Sequence, residues 1–279
     1  MGWVDLHAHV LPGLDDGPRD MAEALALLRQ AEERGIDRVV ASPHGFDGRY
    51  PNDAGRVHAA VAEVQSAARE AGLSIQVLPG MEVYLNLDLG RQLKLGQALG
   101  LNAGSFVLVE LPHRDVPLFT EETLFEIQVM GYRPIINHPE RNRRIQESPG
   151  IFRRMAELGA LGAGTAGSLT GRFGPAAQET AEVLLRQGLI QCLVSDGHRT
   201  DLRPAGFGSA PTELETLVGP DRARWILEEA PEAILAGRRD ELTVGGGRLP
   251  GPPPAEVPGE WQRRPKPAGG IRRILGYWR

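Results

Sequence analysis

The chemistry of this chain is announced in its first strand. The stretch "VDLHAHVLPGLDDG" (residues 4–17) sets His7 and His9 two apart and follows them with the acid pair Asp15–Asp16. On a strand, residues two apart point to the same side. Further along, His44 closes "RVVASPH", Glu82 falls in "LPGMEV", Glu110 closes "FVLVE", His138 follows "PIIN", and Asp196 and His198 repeat the spacing of two in "VSDGH". Five of the seven histidines occupy such positions. Imidazoles and carboxylates together suit divalent ions of the Mn, Fe or Zn type and disfavour a thiolate site. So many donors exceed what one ion takes, so two or three ions are expected.

These donors need a frame that brings strand ends together. Candidate strands are 3–10, 38–44, 74–83, 105–112, 132–139, 160–169 and 189–198, several of them short apolar runs bounded by Gly or Pro. Helical patterns fill the gaps, at 18–35, 53–72, 120–131, 149–159, 174–188 and 211–236. In the first of these Met21, Leu25, Leu28 and Ala31 recur on one face, with Pro18 as a first-turn residue and Gly35 as the stop. Strand–helix alternation repeated about seven times argues for a parallel barrel or an open parallel sheet. In a parallel barrel the carboxyl ends of the strands share one mouth, where active sites form. The donors sit at those ends.

Composition sets the outer limits. The 279 residues are 41% hydrophobic and 24% charged, as in an ordinary globular domain. A net charge of −5 offers no basic footprint for nucleic acid. One cysteine allows no internal disulfide, and no apolar run is long enough to span a membrane, so a cytoplasmic protein without stable membrane insertion is expected. A homo-oligomer is compatible with all of this. From about residue 245 to 279 the chain turns Gly- and Pro-rich, and that segment reads as a disordered tail beyond a folded unit spanning 1–244. Its last residues, "IRRILGYWR", are basic and apolar together.

The pattern "DLHAH…PH…E…E…HPER…SDGH" resembles the polymerase-and-histidinol-phosphatase (PHP) superfamily. Within it, "HVLPGLDDGPRD", "NHPERN" and "AGSLTGRFG" are similar to the bacterial metal-dependent protein-tyrosine phosphatases of capsule and exopolysaccharide operons, over roughly residues 3–236. The resemblance implies a distorted (β/α)7 barrel with three ions, commonly manganese, iron or zinc being alternatives. It implies that His7, His9, Glu82 and Asp196 hold one ion, and that Glu82 bridges to a second held by Glu110 and His138. Asp16, His44 and His198 then hold the third. The choice of Asp16 over Asp15 comes from the family pattern, because spacing cannot separate neighbours in a loop. The chain departs from the pattern near Ala163, where a polar residue is expected.

The resemblance also implies roles outside the metals. Arg141 of "HPER" and Arg203 of "HRTDLRP" match the arginines that grip the substrate phosphate, and "GSLTGRFG" is expected as a Gly-rich loop at the mouth, with Ser168 at the substrate. Arg pairs with phosphate through two parallel hydrogen bonds, which Lys cannot make. Asp5 is expected to orient a ligating imidazole. His113 is read as an exposed loop residue near the mouth, and His58 as a solvated helix residue. Cys192 is read as packing, since Cys192 and Arg199 enclose six residues where a cysteine-dependent phosphatase loop has five. The implied substrate is phosphotyrosine on a bacterial tyrosine kinase that governs polysaccharide export. The rival reading is a small-molecule phosphomonoesterase of the histidinol-phosphatase kind.

Overall fold

The structure is a computed structural model that describes residues 2–242. The segment expected as a disordered tail therefore lies outside the described residues. Among the described residues, nine short strands alternate with eleven α-helices. In chain order they are β1 (Trp3–Ala8), α1 (Met21–Glu33), β2 (Ile36–Ala41), β3 (His44–Gly45), α2 (Ala54–Glu70), β4 (Gln76–Pro79), β5 (Glu82–Tyr84), α3 (Leu89–Lys94), β6 (Phe106–Glu110) and α4 (Thr120–Val129). There follow β7 (Arg133–Asn137), α5 (Arg143–Glu147), α6 (Gly150–Glu157), β8 (Leu161–Thr165), α7 (Ala166–Leu169), α8 (Pro175–Arg186), β9 (Cys192–Val194), α9 (Ala210–Val218), α10 (Pro220–Arg224) and α11 (Ala230–Leu235).

All strand pairings are parallel, in two sheets of order β1-β2-β4 and β3-β5-β6-β7-β8-β9. The second expected strand breaks at Ser42-Pro43 and the third at Gly80-Met81, which is why seven expected strands appear as nine. Pro43 and Pro79 have no N–H for a ladder, and a side chain on Gly80 would sit 2.5 Å from Val40. Both breaks fall at one level, between the register pairs Ala41–Pro79 and His44–Glu82. Above them the chain bends and delivers His44 and Glu82 side by side. The ring is completed from β9 to β1 by a bridge between Ala8 and Gly197, with Asp196 N–H donating to His7 O (3.0 Å) and His9 N–H to Gly197 O (2.8 Å). The result is a distorted seven-position α/β barrel whose ladder is interrupted.

The core follows from the sequence pattern. Val39, Val40, Leu108, Ile135 and Ile136 are fully buried on strands covered by helices on the outside. α1 starts three residues later than Pro18, at Met21, because Asp20 caps it and accepts from Glu23 N–H (2.9 Å). Asp53 caps α2 in the same way, accepting from Arg56 N–H (2.9 Å). The helix expected over 211–236 is four pieces: α9, α10, a π turn at Trp225–Glu229, and α11. Gly219 in the left-handed region (φ 83°) with Pro220 after it, and Pro231 further on, account for the interruptions.

Candidate metal centre

The predicted donors converge at the carboxyl ends of the strands. Glu82 lies at the centre. Its carboxylate is 3.1 Å from His138 Nε2, 3.0 Å from His44 Nδ1, 3.5 Å from His9 Nε2 and 3.8 Å from His7 Nε2. Glu110 approaches His44 Nδ1 at 3.4 Å and His138 Nε2 at 4.0 Å. Asp16 faces His198 Nε2 at 3.3 Å and His44 Nε2 at 3.5 Å, while Asp196 Oδ1 lies 3.1 Å from His7 Nε2 and 3.6 Å from His9 Nε2. Three overlapping groups could each hold an ion, with donor atoms within 4.8 Å of one another: His9-Asp16-His44-His198, His7-His9-Glu82 and His44-Glu82-Glu110. The partition differs from the one the resemblance implied: His44 also joins the Glu82–Glu110 group, His9 also joins the Asp16 group, and His138 and Asp196, expected as ligands, stand beside the groups and in none of them.

The buried atoms of this cluster test whether metal fits. His9 Nε2, His198 Nε2, His44 Nδ1 and Glu82 Oε2 are buried without a hydrogen-bond partner. Leaving such atoms unpaired costs about 1–3 kcal/mol each, which a cation among them would offset. The tautomers agree. His9 Nδ1–H donates to Asp15 Oδ2 (2.6 Å), His7 Nδ1–H to Ser42 Oγ (2.7 Å) and His198 Nδ1–H to the Asp196 carbonyl (2.9 Å). Each leaves its Nε2 lone pair turned inward, the arrangement of ligating histidines. The donor set therefore fits divalent metal.

Charge at the site is divided sharply. Against their burial, Glu82 is held well below the usual carboxylate range by His7, His138 and His44, and Asp196 by His7, Arg203 and Arg141. Burial opposes the charge on His44, yet Glu110 and Glu82 outweigh it and push its pKa up to about 12. His198 goes the other way, down to about 4, through burial and the nearby His9. Two of the expected donors sit on backbone that non-glycine residues avoid, with φ 35° at His138 and φ 53° at Asp196. Such conformations cost on the order of 1–3 kcal/mol and cluster at functional sites. Gly197, between Asp196 and His198, passes so close to the next loop that a Cβ would lie 2.8 Å from Ala205 Cα.

Beside the donors stand two arginines. Arg141 Nη1 and Arg203 Nη2 each donate to Asp196 Oδ2 at 2.5 Å, and Arg203 Nε is buried without a partner. The Arg141 guanidinium lies over the Phe173 ring, 4.3 Å from its centroid. Arg141 is carried on the short turn Pro139–Arg141, and that turn is braced by Glu140, a residue the sequence reading passed over. Buried Glu140 accepts from Thr165 N–H (3.0 Å) and from Ser168 Oγ–H (2.7 Å). Ser168 thus spends its hydroxyl on Glu140 inside the protein, in place of the substrate contact expected of it. The loop expected around it begins as the helix α7.

Other expectations sort as follows. Asp5 does not touch an imidazole. It accepts from Ser195 N–H (3.0 Å) and His7 N–H (3.3 Å), so it ties β1 to the end of β9, and burial pushes its pKa up to about 6. Orientation of the rings falls to Ser42 and Asp15, which the sequence reading missed. Asp15 was visible beside Asp16, but only folding puts one acid behind His9 and the other against His44 and His198. Cys192 is buried, and burial raises its thiol to about 12, which removes it as a nucleophile. His113 lies at the rim, 3.7 Å from Glu110 and stacked on His138. His58 is exposed on α2.

Comparison with known proteins agrees with this geometry. The sequence profile of the family described as "Capsular polysaccharide synthesis, CpsB/CapC" matches residues 3–236. The chain is 33% identical to the tyrosine-protein phosphatase YwqE of Bacillus subtilis over 83% of its own length and 91% of that protein's. It is 23% identical to the tyrosine-protein phosphatase CpsB of Streptococcus agalactiae, over 83% and 98%. A crystal structure from work on Bacillus subtilis YwqE and Streptococcus pneumoniae CpsB, described there as unique metal-dependent tyrosine phosphatases, superposes with a TM-score of 0.81 at 33% identity, covering 84% of this chain and 94% of that one. The phosphotriesterase homology protein of Escherichia coli, at 12% identity and a TM-score of 0.53 over 82% and 97%, shares the fold alone. The chain belongs to the CpsB/CapC family of capsular polysaccharide synthesis proteins.

Proposed function

We propose that this protein is a metal-dependent protein-tyrosine phosphatase. In this reading it acts in the cytoplasm on a bacterial tyrosine kinase that controls capsule or exopolysaccharide synthesis, with manganese as the preferred metal. The observation that carries the proposal is the convergence of unpartnered, inward-facing donors with two arginines at one mouth. His7, His9, Asp16, His44, Glu82, Glu110, His138, Asp196 and His198 would hold the ions. Bound ions of this kind neutralise phosphoryl charge and lower the pKa of water.

The chain's own residues do the rest. Arg141 and Arg203 share Asp196 Oδ2 and keep further N–H groups for the nonbridging phosphate oxygens, Arg203 Nε–H among them. Phe173 supports the Arg141 guanidinium from one face and so limits its rotamers. Glu140 fixes the turn that carries Arg141. A departing tyrosinate, with a pKa of about 10, needs little proton donation. His113 at the rim fits that, because burial and the neighbouring His138 push its pKa down, against the charged donor form.

The test is hydrolysis of a phosphotyrosine peptide and of histidinol phosphate by the manganese-loaded protein. The proposal expects kcat/KM to favour the peptide by an order of magnitude or more. A preference for histidinol phosphate would replace it with the small-molecule phosphatase reading.

A further inference from the structure

A cleft of about 150 Å³ opens on the outer side of Arg203, between the turn after α7 and the loop before α9. Its charged lining residues are Arg34, Arg172 and Arg203, and no carboxylate lines it. Arg34 Nη1 donates to the Ala205 carbonyl (2.8 Å) and Arg172 Nη1 to the Leu202 carbonyl (2.7 Å), so both guanidiniums are anchored to the loop that carries Arg203. Each is held by a neutral acceptor, and neither has its charge matched in an ion pair there. Glu213 accepts from Ser209 Oγ (2.9 Å) but does not line the cleft. The cleft shares Phe173 and Arg203 with the phosphate side of the metal centre. Arg203 is paired with Asp196, which leaves Arg34 and Arg172 as two like charges in one cleft without a counter-charge, and an anion there relieves their repulsion.

We infer that this cleft is a subsite for an anionic side chain of the substrate peptide, near in sequence to the phosphotyrosine under attack. The inference rests on the phosphatase reading above and extends it to substrate class: acidic or multiply phosphorylated peptides over neutral ones. Arg172 and Arg34 are its specificity residues and have no part in the chemical step. A carboxylate and a second phosphate share the chemistry the cleft recognises.

Steady-state kinetics on the full-length, manganese-loaded protein separate these sources. The substrates are p-nitrophenyl phosphate and three sets of phosphotyrosine peptides, with Gln, Glu or phosphoserine placed at each of the three positions on either side. The wild-type protein is expected to favour at least one anionic peptide by about fivefold in kcat/KM, mostly through KM, the scale of a partly exposed charge contact. Response to Glu or to phosphoserine identifies the source. In the double variant Arg34→Ala/Arg172→Ala the preference should fall below twofold while p-nitrophenyl phosphate turnover stays unchanged. Arg172→Glu should reverse it, so that the Gln peptide is favoured. Absence of any charge preference in the wild type, or its survival in the double variant, overturns the subsite alone. A parallel loss on p-nitrophenyl phosphate also overturns it, since the arginines would then be loop supports. Failure to turn over any phosphotyrosine peptide would remove the phosphatase reading and the subsite with it.

Discussion

At the scale of single residues, the proposed function gives metal to the imidazoles and carboxylates and phosphate to the two arginines. Glu82 touches four imidazoles, so Glu82→Ala should cost more bound metal than any other ligand change. Metal analysis after gel filtration should show at least one ion fewer per chain than in the wild type. Wild-type stoichiometry would remove Glu82 from its central place. Arg141→Ala should keep its metal and lose about 10²-fold or more in kcat/KM, because charge-assisted contacts to a developing phosphoryl charge are worth about 2–4 kcal/mol. Arg141→Lys should recover only part, having charge but no fork. Asp15→Asn keeps an acceptor for His9 and should weaken metal binding modestly. Asp15→Ala should weaken it by about 10–100-fold, as loss of a ring-orienting partner does, read from metal titration.

At the scale of elements, two tight passages position the chemistry. One is the turn Pro139–Arg141, braced by Glu140 against α7. Glu140→Ala strands the Thr165 N–H and the Ser168 hydroxyl, and should destabilise the protein by about 2–4 kcal/mol in denaturant unfolding. It should also reduce kcat/KM in step with Arg141 variants, whereas Ser168→Ala, which leaves Glu140 its backbone partner, should cost about 1 kcal/mol. The other passage is Gly197. Gly197→Ala must push the Ala205 backbone away and with it Arg203, so activity should fall while the far side of the barrel is unaffected. Elements were also where the sequence was least legible. Strand identity followed from short apolar runs, but the breaks in the second and third strands depend on Pro43 and Pro79 together with what Gly80 packs against, and that packing is contained in no local pattern. The helix at 211–236 kept its apolar period through Gly219 and Pro220, so periodicity ran on where the backbone could not.

At the scale of the whole molecule, the parallel α/β order and the gathering of donors at one end of the strands could be read ahead of the structure, because strand-end position is a property of sequence order. Which imidazole faces which carboxylate could not. Those pairings depend on the hydrogen bonds that the rings of His7 and His9 donate to Ser42 and Asp15, and spacing in the sequence does not assign either residue that part. Removing residues after Val244 is expected to leave turnover of a small aryl phosphate within a factor of about two, since that Gly- and Pro-rich sequence lacks the apolar periodicity of a core element. A larger loss would show that the segment docks on the barrel.

The central claim is that one metal-loaded mouth hydrolyses phosphotyrosine, and one measurement meets it directly. The protein is stripped with chelator and verified metal-free. Turnover of a phosphotyrosine peptide is then followed as manganese is added back, with melting temperature recorded at each step. Nine donors in or beside three overlapping groups predict no turnover without metal, recovery on loading, and a melting temperature that rises with metal concentration. Full peptide turnover by the verified metal-free protein, or loading that raises the melting temperature without restoring any turnover, would contradict the account.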